Sequence, residues 1–252
     1  WVHWPDTMFT YVKEDKIVFT CDFLGSHSPF ENVFAVESEA LLLAAKRYYA
    51  EIMMPFRKFC VKYVQILKDM DIEMILTSHG PAYKNPQYIL DAYEKWTSDE
   101  VANEVVIPYV SMYESTKEMV DYMAEKLSDK GITVKPFDVV NEDLGELAME
   151  LVEACTVVFG SSMVLAGPHP AAVTAAYLAG ILRPKAKFVA FIGSYGWGGV
   201  LTEKLEQALS NVKAEKLESV IVKGKPRKED FEKLDVLIES IYEKHKDLGL
   251  VE

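Results

Sequence analysis

After about residue 100 the chain alternates short apolar runs with helical patterns, which leaves few possible folds. Residues 104–111 (EVVIPYVS) read as a buried strand. Residues 115–130 predict a helix with Met119, Val120, Met123 and Leu127 as its apolar positions, stopped by Gly131. A second strand is predicted at 132–139, and a helix at 144–155 running into a third strand at 156–160. A small-residue helix follows at 170–181, a fourth strand at 188–193 and a helix at 200–209. A fifth strand at 217–222 and a helix at 228–245 complete the pattern. Parallel neighbours need crossovers, and the helices supply them. The prediction is a doubly wound parallel sheet over residues 100–252, an ordinary domain size.

Residues 1–99 read differently. A strand is predicted at 15–21 (DKIVFTC), and a long helical stretch at 37–69 that Pro55 breaks or kinks. A short strand at 74–77 ends at Ser78-His79-Gly80-Pro81, and 85–96 is helical again. Two or three strands are too few to close a sheet covered on both faces, so this segment reads as half of an α/β domain.

The charge balance excludes some roles. Lys and Arg number 27 and Asp and Glu 39, a formal net charge of −12. That argues against a general binder of nucleic acid or anionic membrane, which needs basic residues. No apolar run approaches the ~20 residues of a membrane span. Cys21, Cys60 and Cys155 lie far apart and form no CxxC pair. A disulfide framework or thiolate zinc site is therefore not expected, and a reducing cytoplasm is. The sequence opens at Trp1 directly on a dense motif, without Met or signal peptide, which reads as a break inside a domain.

Three loops of the second half carry chemistry. The first, Ser111-Met112-Tyr113-Glu114-Ser115-Thr116, sets hydroxyls at a helix start, where backbone N–H groups and the helix dipole favour a phosphate. It matches neither a P-loop nor GxGxxG, and an ordinary helix cap is the alternative. The second is Gly160-Ser161-Ser162-Met163-Val164-Leu165-Ala166-Gly167-Pro168, and the third Gly193-Ser194-Tyr195-Gly196-Trp197-Gly198-Gly199. In a sheet of order 2-1-3-4-5 the ends of strands one, three and four border one crevice. Glycines let backbone approach a planar ligand, and Tyr195 and Trp197 offer flat surfaces. Together the loops describe a flavin mononucleotide (FMN) site, with glycine-rich turns and incidental aromatics as the bland alternative.

In the first half, His3, Asp22 and His79 each sit in a compact motif, and the last two follow predicted strands. Two imidazoles and a carboxylate suit a transition metal. Taken singly, each reads first as a cap or a surface polar residue, His79 included. His169, in a loop, and His245, in a polar helix, read as structural.

The stretches SMYEST, GSSMVLAGP and FIGSYGWGG resemble the three flavin loops of the flavodoxin-like domain in flavodiiron proteins (A-type flavoproteins), a family of cytoplasmic O2 and NO reductases. WVHWPDTM, FTCDFLGSH and TSHGP resemble the later ligand motifs of that family's metallo-β-lactamase-like domain. The resemblance implies a flavodoxin-like domain preceded by the C-terminal part of a metallo-β-lactamase-like αββα domain. It implies FMN on the first loop, on Ser161, Ser162 and Met163, and on Ser194, Tyr195, Gly196, Trp197 and Gly198. It implies two non-haem irons, one ligated by His3, the other by His79, and both bridged by Asp22, with His27 near the pocket but not a ligand. Two departures stand out: Glu114 occupies a position where the family usually has Gly, His or a similar residue, and the second loop lacks the common Pro-Thr and Asn.

The family's H-x-E-x-D-H motif is absent from His3, His27, His79, His169 and His245, and is expected upstream of Trp1. Each metal is then left short of ligands. The implied activity passes electrons from rubredoxin or another reductant through FMN to the diiron site, reducing O2 to water or NO to N2O. The implied assembly is a head-to-tail homodimer or a tetramer. The rival is a flavodoxin-like FMN electron carrier with an iron-free remnant attached. A zinc hydrolase would leave the flavin loops unexplained.

Overall fold

The computed structural model describes residues 2–27 and 32–251. It divides into two compact units, Trp1–Glu100 and Val101–Glu252.

The first unit holds a three-stranded sheet of order β1-β2-β3. Strand β1 (Thr10–Val12) pairs antiparallel with β2 (Ile17–Cys21), and β3 (Met74–Thr77) runs parallel to β2. Side chains alternate across the strands. Val18, Thr20 and Ile75 are buried on one face, while Phe19 on the other is 44% exposed. Between β2 and β3 run α1 (Glu39–Tyr48) and α2 (Arg57–Lys68), and α3 (Pro86–Thr97) follows β3. The Ser38 hydroxyl caps α1 by accepting from the Leu41 N–H at 3.3 Å.

The sequence predicts a break at Pro55, and the structure starts it earlier. A π-helical turn occupies Tyr49–Met53 and a 3-10 turn Met54–Phe56. Proline lacks an N–H, and its ring clashes with the carbonyl four residues back, here Glu51. The widened turn absorbs that conflict and buries Tyr49, Ala50 and Met53. Tyr49 packs on Tyr93 with ring centroids 5.3 Å apart, and Phe23 meets Tyr93 at the same distance.

The second unit is built on β4 (Ala102–Val110), β5 (Thr133–Asp138), β6 (Ala154–Val164), β7 (Gly167–Pro168), β8 (Phe188–Tyr195), β9 (Glu215–Lys216) and β10 (Val220–Lys223). The main path is β5-β4-β6-β8-β10, all parallel, which is the expected order 2-1-3-4-5. Helices α4 (Ser115–Asp129) and α8 (Lys228–Asp247) contribute Met119, Met123, Leu234 and Ile241 to one core. Helices α5 (Leu144–Glu150), α6 (Pro170–Leu182) and α7 (Thr202–Ala208) contribute Leu147, Ala175 and Leu205 to the other. The central strands therefore read as continuous apolar runs.

His245 fits its structural reading but not its expected polar setting. It is wholly buried, with Nε2 2.8 Å from Thr156 Oγ1 and Nδ1 2.7 Å from Asn103 Oδ1. The Asn oxygen can only accept, so Nδ1 carries the proton and Nε2 accepts from the Thr hydroxyl. Burial lowers its pKa to about 4.

Candidate functional site

Parallel register brings the three loops of the second unit to one edge. Tyr109 and Val110 pair with Gly160 and Ser161, and Ser161 and Ser162 pair with Gly193 and Ser194. The chain therefore leaves β4, β6 and β8 side by side. Thr116 Oγ1 lies 3.2 Å from Ser194 Oγ, tying the first turn of α4 to the end of β8. The Ser111 hydroxyl accepts from the Lys117 N–H at 3.1 Å. Glu114, at the helix entry, has φ +62° and makes no side-chain cap bond.

The second loop differs from its sequence reading. Strand β6 continues to Val164 and folds back on β7, with Met163 opposite Pro168. Leu165 and Ala166 form the tip, both at positive φ. That tip is locked to the third loop, since Val200 N–H donates to the Ala166 carbonyl at 3.2 Å. A Cβ on Gly199 would lie 2.6 Å from that oxygen, so only glycine allows the approach. Ser161 Oγ accepts from the His169 N–H at 3.0 Å, while Ser162 Oγ is buried without a partner among the described residues. His169 itself caps α6, its Nδ1 accepting from the Ala171 N–H.

Other residues of these loops face outward. Tyr113 is 86% exposed and Trp197 72%, and Met112 and Leu165 are also exposed. An open cleft of about 400 Å³ is lined by Met163, Tyr195, Gly198, Val200 and Thr202. The arrangement combines hydroxyls and a helix start with flat side chains, as a planar phosphate-bearing ligand requires.

In the first unit, His3, Asp22 and His79 converge although 76 residues of sequence separate the outer two. His3 Nε2 lies 3.9 Å from Asp22 Oδ2, and His79 Nε2 lies 3.3 Å from Asp22 Oδ1. The two imidazoles thus address opposite oxygens of one carboxylate, as a carboxylate shared by two cations would require. His3, Cys21 and Leu24 all have positive φ, and Cys21 follows a register shift between β2 and β3. Such strain in non-glycine residues marks positions held by their surroundings. The donor types fit a metal pair, but the set is short. Among the described residues, no three His, Cys, Asp or Glu side chains form a closed metal-holding group.

His27 is exposed beside this cluster, its ring 4.9 Å from that of His79. Sequence reasoning missed Tyr48, which is buried 4.7 Å from His27 and 5.9 Å from His79. Burial and the nearby Asp22 raise its phenol pKa. No periodicity at residue 48 signals contact with residue 79; only the tertiary fold does.

Residues 1–80 match the ODP family beta lactamase model. A nitric oxide reductase of Moorella thermoacetica is 33% identical over 244 residues, covering 92% of this chain and 60% of the relative. The rubredoxin oxygen:oxidoreductase of Desulfovibrio gigas superposes with a TM-score of 0.92 at 27% identity, over 98% of this chain and 63% of that one. Over most of its length the chain is similar in sequence to nitric oxide reductases and in fold to flavodiiron proteins. A flavo di-iron protein of Thermotoga maritima shares the fold, with a TM-score of 0.82 at 24% identity over 97% of this chain and 62% of that one. The α/β architecture with its flavodoxin-like parallel sheet matches flavodiiron structures. The chain spans about 60% of the length of the first relatives it matches. Among the described residues, no helix is long and apolar enough to cross a membrane.

Proposed function

We propose that this chain is part of a flavodiiron oxidoreductase that moves electrons from FMN to a non-haem diiron site reducing O2, NO or both. In this reading residues 1–99 are the later part of the metallo-β-lactamase-like domain and residues 100–252 the FMN domain. The observation that carries it is the meeting of three flavin-type loops at one sheet edge, sealed by the Thr116–Ser194 contact. Orphaned Ser162 Oγ supplies a buried donor with no partner among the described residues, as expected where a ligand atom belongs.

The residues take separable roles. Ser111, Ser115 and Thr116 and the start of α4 bind the phosphate, and Met112 and Tyr113 cover it. Ser161, Ser162 and Met163 line one side of the ring, while Ser194, Tyr195, Gly196, Trp197 and Gly198 line the other and exclude water. Glu114 directs its carboxylate to solvent. His3 and His79 would each hold one metal and Asp22 would join the pair, while His27 borders the pocket. Electron storage and gas reduction are chemistry that bound FMN and iron supply. The external donor is a rubredoxin or another reductant, the assembly a head-to-tail homodimer or tetramer, and the compartment the cytoplasm.

A second reading is favoured by one observation, the short metal-donor set. It makes the chain an FMN electron carrier with an iron-free remnant. Flavin and iron analysis of the purified chain, with NO and O2 consumption, separates the two. About two irons per FMN with gas uptake supports the reductase, and FMN without iron supports the carrier. Absence of FMN overturns both.

A further inference from the structure

We propose that His27 is a positioning residue that fixes the ring plane of His79, and through it the direction of Nε2 toward the Asp22 carboxylate. The inference rests on reading His79 and Asp22 as metal ligands.

A metal-ligating imidazole almost always has its second ring nitrogen held by a carboxylate, a carbonyl or water, which sets the ring orientation. His79 lacks that device. Its Nε2 faces Asp22, and among the described residues no hydrogen-bond partner meets its Nδ1. Its backbone, in contrast, is firmly held. The His79 carbonyl accepts from Thr77 Oγ1 at 2.7 Å and from the Ser26 N–H at 3.1 Å. Gly80 has φ +90°, and a Cβ there would fall 2.3 Å from Ser26 Oγ. The segment carrying Ser26 and His27 is therefore packed tightly against the one carrying His79.

What remains to fix the ring is aromatic contact. His27 meets His79 at 4.9 Å with the planes 82° apart, and meets Tyr48 at 4.7 Å with the planes 90° apart. Both are edge-to-face geometries, which aromatic rings favour. Tyr48 is 2% exposed and ends α1 where the π-helical turn begins, so it is the immobile member. His27 links this anchored ring to the ring that must be aimed. It makes no ion pair with Asp22 among the described residues, which sets it apart from His3 and His79. Its contribution is the shape and edge of its ring, so another flat ring would serve in its place.

The test compares wild type, H27A, H27Q and H27F as full chains labelled with 15N and 13C and kept metal-free. The His79 ring resonances are the readout, with circular dichroism confirming the fold. H27A and H27Q should move those resonances toward solvent-exposed positions, while H27F keeps them near wild type. Unchanged His79 resonances in folded H27A and H27Q overturn the proposal, as does equal displacement in H27F. A Co2+ titration adds a second readout. Loss of the ring should weaken binding about tenfold or more, as other changes beyond the ligands do, and H27F should restore it. D22A tests the underlying reading separately. If D22A leaves Co2+ affinity unchanged, the metal assignment falls, while the His79 resonances still decide whether His27 orients that ring.

Discussion

Thr116 Oγ1 and Ser194 Oγ meet at 3.2 Å, joining the first turn of α4 to the end of β8. Both residues are buried, so replacing one hydroxyl leaves the other unsatisfied at a cost of about 1–3 kcal/mol. Thr116→Val keeps the shape and removes the contact. It should lower the thermal midpoint and weaken FMN, as followed by differential scanning calorimetry and flavin fluorescence.

Trp197 is 72% exposed between two glycines whose added Cβ would touch nothing. Its contribution is then to a ligand and not to the core. Trp197→Ala should loosen FMN by roughly 1–3 kcal/mol if stacking is its role. The unfolding midpoint of the flavin-free chain should stay near wild type, and a large fall there would assign Trp197 to packing.

Glu114 combines a left-handed backbone with a carboxylate beside the phosphate-type loop. A non-glycine residue in that region costs roughly 1–2 kcal/mol, and like charges repel. Glu114→Gly should tighten FMN, on the order of tenfold at low salt and less at high salt. Weaker binding in a titration at low salt would show that Glu114 assists the ligand.

Much of this was legible in the chain, for identifiable reasons. The parallel sheet could be read because β4, β6 and β8 are apolar on both faces and separated by helical patterns. His3, Asp22 and His79 stood out because their motifs are compact. The extension of β6 through Ser162 and Met163 was not legible, because small polar residues read as loop. Pairing with β8 and β7 keeps them extended. The π-helical turn was hidden because apolar residues continue through it. His245 lies between Lys244 and Lys246, which masks a burial decided by Asn103 and Thr156 far away in sequence.

That buried histidine makes stability depend on pH. The His245 pKa falls from 6.5 to about 4 on folding, because burial disfavours the charged ring. The unfolded chain therefore binds the proton more readily. The stabilisation is fully present above pH 6.5 and is lost as pH falls toward 4, by at most roughly 3 kcal/mol. Urea unfolding from pH 7.5 to 4.5 should show this slope in wild type. His245→Gln should be less stable at pH 7.5 and show a shallower slope.

Asp22 places its two oxygens toward two different imidazoles. In a protein carrying the full ligand set, Asp22→Ala should abolish iron uptake and gas consumption while leaving FMN stoichiometry unchanged. Iron and flavin analysis on the same sample checks this, and loss of FMN would contradict separate sites.

The most direct test of the account is titration of the flavin-free chain with FMN, followed by quenching of flavin fluorescence. The account predicts saturable quenching at one FMN per chain, weakened in the Trp197→Ala variant. No quenching at any ratio would contradict the flavin site and, with it, both functional readings.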